Sequence, residues 1–129
     1  MTLKTFKKYY EIPAEPEEVY LALINEQAIR LWTGDEVEMK AEEQSEFSMW
    51  GGSIVGKNIS FDYGKKIVQE WYFGDQQEKS IVTIKLHPHK KGTSFELIHS
   101  NIPEEEYAGI AEGWDGVYLA SLTDFFKED

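Results

Sequence analysis

The sequence predicts an α+β fold: one curved antiparallel sheet wrapped around a long C-terminal helix, with two short helices after the first strand. Three observations carry this. Segments of alternating polarity, parted by short turns, follow one another from Glu36 to Ser100. From Glu104 to Phe126 the apolar spacing changes to three and four. That last segment is the only element long enough to cover the one sheet face that must be kept from water.

The elements follow in chain order. Leu3 to Ile12 alternates imperfectly and reads as a strand with a wet face, its Lys4, Lys7 and Lys8 marking an edge. Pro13 to Pro16 stops it, and Pro16, Glu17 and Glu18 suit the first turn of a short helix with Val19, Tyr20, Leu23 and Ile24 as its apolar face. A second short helix runs from Glu26 to Trp32 and ends at Thr33-Gly34-Asp35. Strands are then expected at Glu36–Lys40, Glu46–Trp50, Ser53–Lys57 (with Asn58–Phe61 as an extension or a separate strand), Lys65–Phe73, Ser80–His87 and Thr93–Ser100. Gly74 to Glu78 reads as a polar loop, and Pro88 to Gly92 as a turn. The final amphipathic helix starts in an acidic turn, Glu104-Glu105-Glu106, and carries Tyr107, Ile110, Ala111, Trp114, Val117, Tyr118, Leu122 and Phe125. Gly109, Gly113, Gly116 and Ala120 form a second stripe on it. Helix glycine costs about 1 kcal/mol against alanine, so the stripe predicts a backbone pressed close to the sheet or one wall of a cavity.

Composition bounds the function. The 129 residues suit one domain, 1–129, and 41% hydrophobic residues can fill its core. With 24 Asp+Glu against 13 Lys+Arg, the net charge of -11 argues against nucleic acid and against an anionic membrane surface. The absence of cysteine excludes disulfides, thiol catalysis, Fe–S clusters and cysteine-ligated zinc. No secretory signal or membrane span is legible at the N-terminus or beyond, so a soluble cytoplasmic protein is expected.

The candidate chemistry is sparse. His87-Pro88-His89 lacks further ligands nearby and reads as a solvated turn, so no metal is expected. Glu70 and Glu96 alternate with apolar residues and are expected to face water, while Asp115 beside Trp114 is a candidate for a cavity rim. Ser53, Ser60 and Ser100 lack a nucleophile elbow, and Gly51-Gly52 with Gly56 does not match a phosphate loop. Catalytic residues and cofactors are not expected. Trp71 shares a strand face with Ile67, Gln69 and Phe73, and Trp114 must point at the sheet. Both tryptophans are either plain core or cavity lining. The wall candidates are Trp32, Met49, Trp71, Phe73, Phe95, Ile110, Trp114 and Tyr118, with Gln69 and His99 as polar candidates.

The local motifs resemble a known family. Phe47-x-Met49-Trp50-Gly51-Gly52-x-Ile54-x-Gly56, Lys66-Ile67-Val68-Gln69-Glu70-Trp71, Ser80-x-Val82-Thr83-Ile84-x-Leu86 and Gly92-Thr93-x-Phe95-x-Leu97-x-His99 are similar, in order, to strands of the C-terminal domain of the activator of Hsp90 ATPase. Ile102-Pro103, Gly113-Trp114 and Tyr118-Leu119-x-x-Leu122 resemble that family's C-terminal helix. The resemblance implies the helix-grip fold of the START-like (SRPBCC, Bet v 1-like) superfamily. It also implies one of two roles: binding of a small apolar or amphipathic molecule between sheet and helix, or interaction with an Hsp90-type ATPase. The first is the leading expectation, driven by apolar burial at roughly 25 cal/mol per Å²; an enzyme acting on a hydrophobic substrate is the remotest. Oligomeric state is not legible.

Overall fold

The computed structural model describes residues 2–73, 79–90 and 92–127. Strand β1, Leu3–Ile12, leads into α1, Pro16–Ile24, where proline needs no N–H partner and the Glu18 carboxylate accepts the Glu15 N–H at 3.2 Å. Asn25 breaks that helix and caps the next: its side chain accepts the Ala28 N–H at 2.9 Å and starts α2, Glu26–Thr33. Gly34, at φ 69°, ends α2 in the left-handed conformation.

Five further strands follow: β2 Glu46–Met49, β3 Ile54–Asp62, β4 Lys66–Trp71, β5 Ser80–His89 and β6 Gly92–Pro103. With β1 they form one antiparallel sheet in the order β1-β6-β5-β4-β3-β2, so the chain's first strand closes against its last. Alternation sorts the faces: Ile67, Gln69 and Trp71, Val82, Ile84 and Leu86, and Phe95, Leu97 and His99 are buried toward the helices. Gly56 in β3 permits a close crossing, since a Cβ there would collide with the Glu70 carbonyl oxygen.

Several expectations are corrected. Residues 36–40 make only an isolated bridge, Glu38 to Ser48, instead of a strand. Side chains of α2 occupy the backbone groups a strand would need: Arg30 donates to the Val37 carbonyl at 2.9 Å, and the Glu26 carboxylate accepts the Met39 N–H at 2.9 Å. Val37 and Met39 are buried all the same. Trp50 leaves β2 for a tight turn, Trp50–Gly52, at φ 51°. The next two expected segments are one strand, β3, whose register shifts between Asn58 and Ser60. Strand β4 stops at Trp71 rather than Phe73, and the loop expected at Gly74 to Glu78 lies outside the described residues. His87-Pro88-His89 is not a turn: β5 pairs with β6 as far as His89 opposite Gly92.

The C-terminal segment is one continuous helical rod with a change of pitch. After a 3₁₀ turn at Glu104–Glu106 come α3, Tyr107–Gly113, a π turn, Trp114–Tyr118, and α4, Leu119–Phe126. The wide turn puts Trp114, Tyr118 and Leu119 all on the buried side. Helix α4 packs against α2, and α3 and α4 lie against β1. The glycine stripe does not press on the sheet: a Cβ at Gly109, Gly113 or Gly116 would meet nothing within 4 Å.

Candidate functional site

The contact between rod and sheet is aromatic. Trp71 of β4 and Trp114 of the π turn stack with ring centroids 4.9 Å apart and planes 20° from parallel. Tyr118 sits 4.5 Å from the Trp114 ring and 5.2 Å from Trp32, and Trp50 packs on both Trp32 and Tyr118 at 5.8 Å. Rings therefore meet rings along this contact between rod and sheet.

Each indole N–H of the stack is tied to a buried polar side chain. Trp114 Nε1 donates to His99 Nδ1 at 3.0 Å, which makes Nδ1 the acceptor and leaves the proton on Nε2. That proton meets Ser80 Oγ at 2.7 Å, and Ser80 donates onward to the Ser100 carbonyl. Burial pushes the His99 pKa down to about 3, so the ring is neutral. On the other side, Trp71 Nε1 donates to Gln69 Oε1 at 3.0 Å, Gln69 donates to Asn58 Oδ1 at 3.0 Å, and Asn58 donates to the Lys40 carbonyl and Ser45 Oγ. Gln69 and His99 thus spend their hydrogen bonds on the two tryptophans and their own surroundings.

On the outer side of this cluster lies a half-open groove of about 460 Å³. Trp71, Ile110, Trp114 and Tyr118 line it, as do Gly109 and Gly113. Phe95 and Met49 are fully buried in the core, Trp32 sits behind Tyr118 with its N–H on the Ala22 carbonyl, and Phe73 is half-buried 6.1 Å from the His99 ring. The remaining walls are Trp50, Ile54, Ser53, Val117 and Asp35. Val117 continues the Ile110-Gly113 face at helical spacing, a signal present in the sequence. Trp50 and Asp35 come from turns, which periodicity does not address.

Charged candidates lie elsewhere. Asp115 is not at the groove: its carboxylate accepts from Tyr10 Oη at 2.6 Å and Lys8 Nζ at 3.0 Å, on the β1 side. These bonds hold its pKa below the ordinary carboxylate value. Glu96 and Glu70 do not simply face water. His87 Nε2 bonds Glu96 at 2.8 Å and with it lowers the Glu96 pKa, and Lys79 stands 4.0 Å from Glu70. Among the described residues there is no group of three or more metal-ligating side chains, and no helix is long and apolar enough to cross a membrane.

Comparison with known proteins adds to this geometry. The profile of the family described as "Activator of Hsp90 ATPase homolog 1-like protein" matches residues 13–127. A Dictyostelium discoideum protein named activator of 90 kDa heat shock protein ATPase homolog is 34% identical over 116 residues, covering 88% of this chain and 30% of that protein. A Schizosaccharomyces pombe protein of unassigned role is 29% identical over 119 residues, 91% of this chain and 35% of its own length. The chain therefore spans about a third of these curated relatives. Among solved structures, an Hsp90 activator from Plasmodium falciparum superposes with a TM-score of 0.81 at 25% identity, covering 92% of both chains. The Aha1 dimer from Colwellia psychrerythraea gives 0.81 at 19% identity, over 95% of this chain and 96% of that one, a likeness of fold.

Proposed function

Since this chain belongs to the activator of Hsp90 ATPase homolog 1-like family, we propose that it acts, as one domain of residues 1–129, as a non-catalytic binding module for an Hsp90-type ATPase. The observation that carries this is the family match over 13–127 together with a 34% identical relative named as such an activator. The surface is compatible with a basic partner. Between Glu15 and Ser45 the only cations are Arg30 and Lys40, and from Glu104 to Phe126 there is none. Helix α2 of the first stretch packs on α4 of the second. The test is an ATPase assay of an Hsp90-type chaperone with and without the purified chain, beside a pull-down at low salt. A changed hydrolysis rate and co-precipitation are expected; no binding at low salt dismisses the role.

A second reading, binding of a small apolar or amphipathic molecule, is favoured by one specific observation. The groove beside Trp114 has aromatic walls and a volume of about 460 Å³, within the range of ligand pockets. Tryptophan emission should shift on titration with a matching ligand and stay constant if the groove is only a surface furrow.

A further inference from the structure

Two polar groups in the groove keep unused hydrogen-bonding capacity and carry the argument. The first is Tyr118. It is 4% exposed, and its hydroxyl has no hydrogen-bond partner among the described residues. Buried polar groups in native proteins are paired as a rule, and a lone one in a groove wall points to a partner from outside the chain. The second is Asp35, the only charged side chain among the described residues that line the groove. One of its carboxylate oxygens accepts the Glu36 N–H at 2.7 Å, and no cation pairs with it among the described residues. Arg30 lines the adjoining depression with Asp35, but its guanidinium is held by the Val37 carbonyl and by Glu26 at 3.5 Å.

Between these groups the walls are largely apolar, the Ser53 hydroxyl excepted. Both stacked indoles have their N–H groups turned to Gln69 and His99, so ring carbon is what they offer the groove. Ile54, Ile110 and Val117 add aliphatic surface, and Trp50, Ser53, Gly109 and Gly113 complete the walls. A carboxylate beside electron-rich rings favours a cation with an apolar body. The same carboxylate, set in the acidic half of the molecule, disfavours an anion.

We propose that the groove takes an arylalkylamine: its ammonium at Asp35, its ring against the tryptophan and isoleucine walls, and a hydrogen-bonding group at its far end on Tyr118 Oη. This rests on the ligand-binding reading above and names the class of ligand.

The test is an NMR titration of the whole chain at pH 7, following the indole N–H signals of its four tryptophans. The probes are tyramine, phenethylamine, which lacks the ring hydroxyl, and 3-(4-hydroxyphenyl)propionate, which replaces ammonium by carboxylate. Tyramine should bind tightest, phenethylamine about threefold more weakly, and the propionate about tenfold more weakly. Asp35→Asn should weaken both amines by one common factor. Tyr118→Phe should bring tyramine down to the level of phenethylamine and leave phenethylamine unchanged, which also shows that the variant is folded. Equal binding of the propionate and tyramine, or an equal effect of Tyr118→Phe on both amines, overturns the assignment while leaving the groove a ligand site. No shift with any probe overturns the assignment and the ligand-binding reading together.

Discussion

A histidine that accepts a hydrogen bond from an indole does so only while it is neutral. His99 is wholly buried, takes the Trp114 N–H on Nδ1 and gives its own proton to Ser80. Its pKa is depressed from 6.5 to about 3 by burial. The folded protein therefore binds fewer protons here than the unfolded chain across that interval. The stability this residue contributes is complete above pH 6.5 and is lost as pH falls toward 3. Urea titrations at pH 7.5 and pH 5 should differ by about 2 kcal/mol, at 1.36 kcal/mol per unit of displacement. In His99→Gln, which keeps an acceptor near the indole, that difference should largely vanish. Asp115 and Glu96, whose pKa values are lowered by Tyr10 and His87, add their own losses at lower pH, below this window. The indole on the other end of the bond is 2% exposed. Trp114→Ala should cost about 3–5 kcal/mol in denaturant titration; a loss under about 1 kcal/mol would remove the ring from the junction of helix and sheet.

At the scale of elements, the C-terminal rod separates what sequence can reveal from what it cannot. The three-and-four spacing from Tyr107 to Phe125 locates the rod and its buried side, because burial of one stripe is what makes a helix amphipathic. The second stripe, of glycines, says only that those residues share a face. What stands opposite is a tertiary fact, and for Gly109 and Gly113 it is open space. A methyl group added at Gly113 therefore meets nothing within 4 Å, so this backbone is not pressed on the sheet. Gly109→Ala and Gly113→Ala should each raise stability by about 0.5–1 kcal/mol, measurable as a higher urea midpoint with unchanged slope. Gly56→Ala should lower it, because the new methyl group meets the Glu70 carbonyl of the neighbouring strand. The same limit explains Val37 and Met39. Their alternation correctly marks them as buried, but Arg30 and Glu26 hold their backbone, and no local pattern announces that. In the groove, Trp71, Ile110, Trp114 and Tyr118 were legible from periodicity, whereas Asp35 and Trp50 belong to turns whose direction depends on the completed fold.

Over the whole molecule, charge is segregated more sharply than the net value of -11 conveys. Lys7, Lys57, Lys66 and Lys85 stand on strands, where they neighbour acids across the ladder: Lys57 faces Glu70 and Lys85 faces Glu96. The sheet is thereby close to balanced. On the helices acids outnumber their partners: Glu26 meets Arg30 and Asp115 meets Lys8, while Glu104, Glu105 and Glu106 stand exposed at the start of the rod. If the proposed chaperone partner is met through this half, the field acts on the encounter more than on the final contacts. Raising ionic strength from about 50 to about 300 mM should slow association by on the order of tenfold while changing dissociation little. The triple change Glu104→Lys, Glu105→Lys and Glu106→Lys should slow association in the same way at low salt. These residues are exposed, but lysines at the start of the rod oppose its dipole, so a modest fall in thermal midpoint should accompany the change. Lys85→Glu, on the balanced sheet, should leave the association rate near that of the unaltered chain. Stopped-flow or surface-plasmon measurement of the two rates decides the matter, and equal effects from the helix-side and sheet-side reversals would mean that net charge, rather than the acidic helical half, governs the encounter.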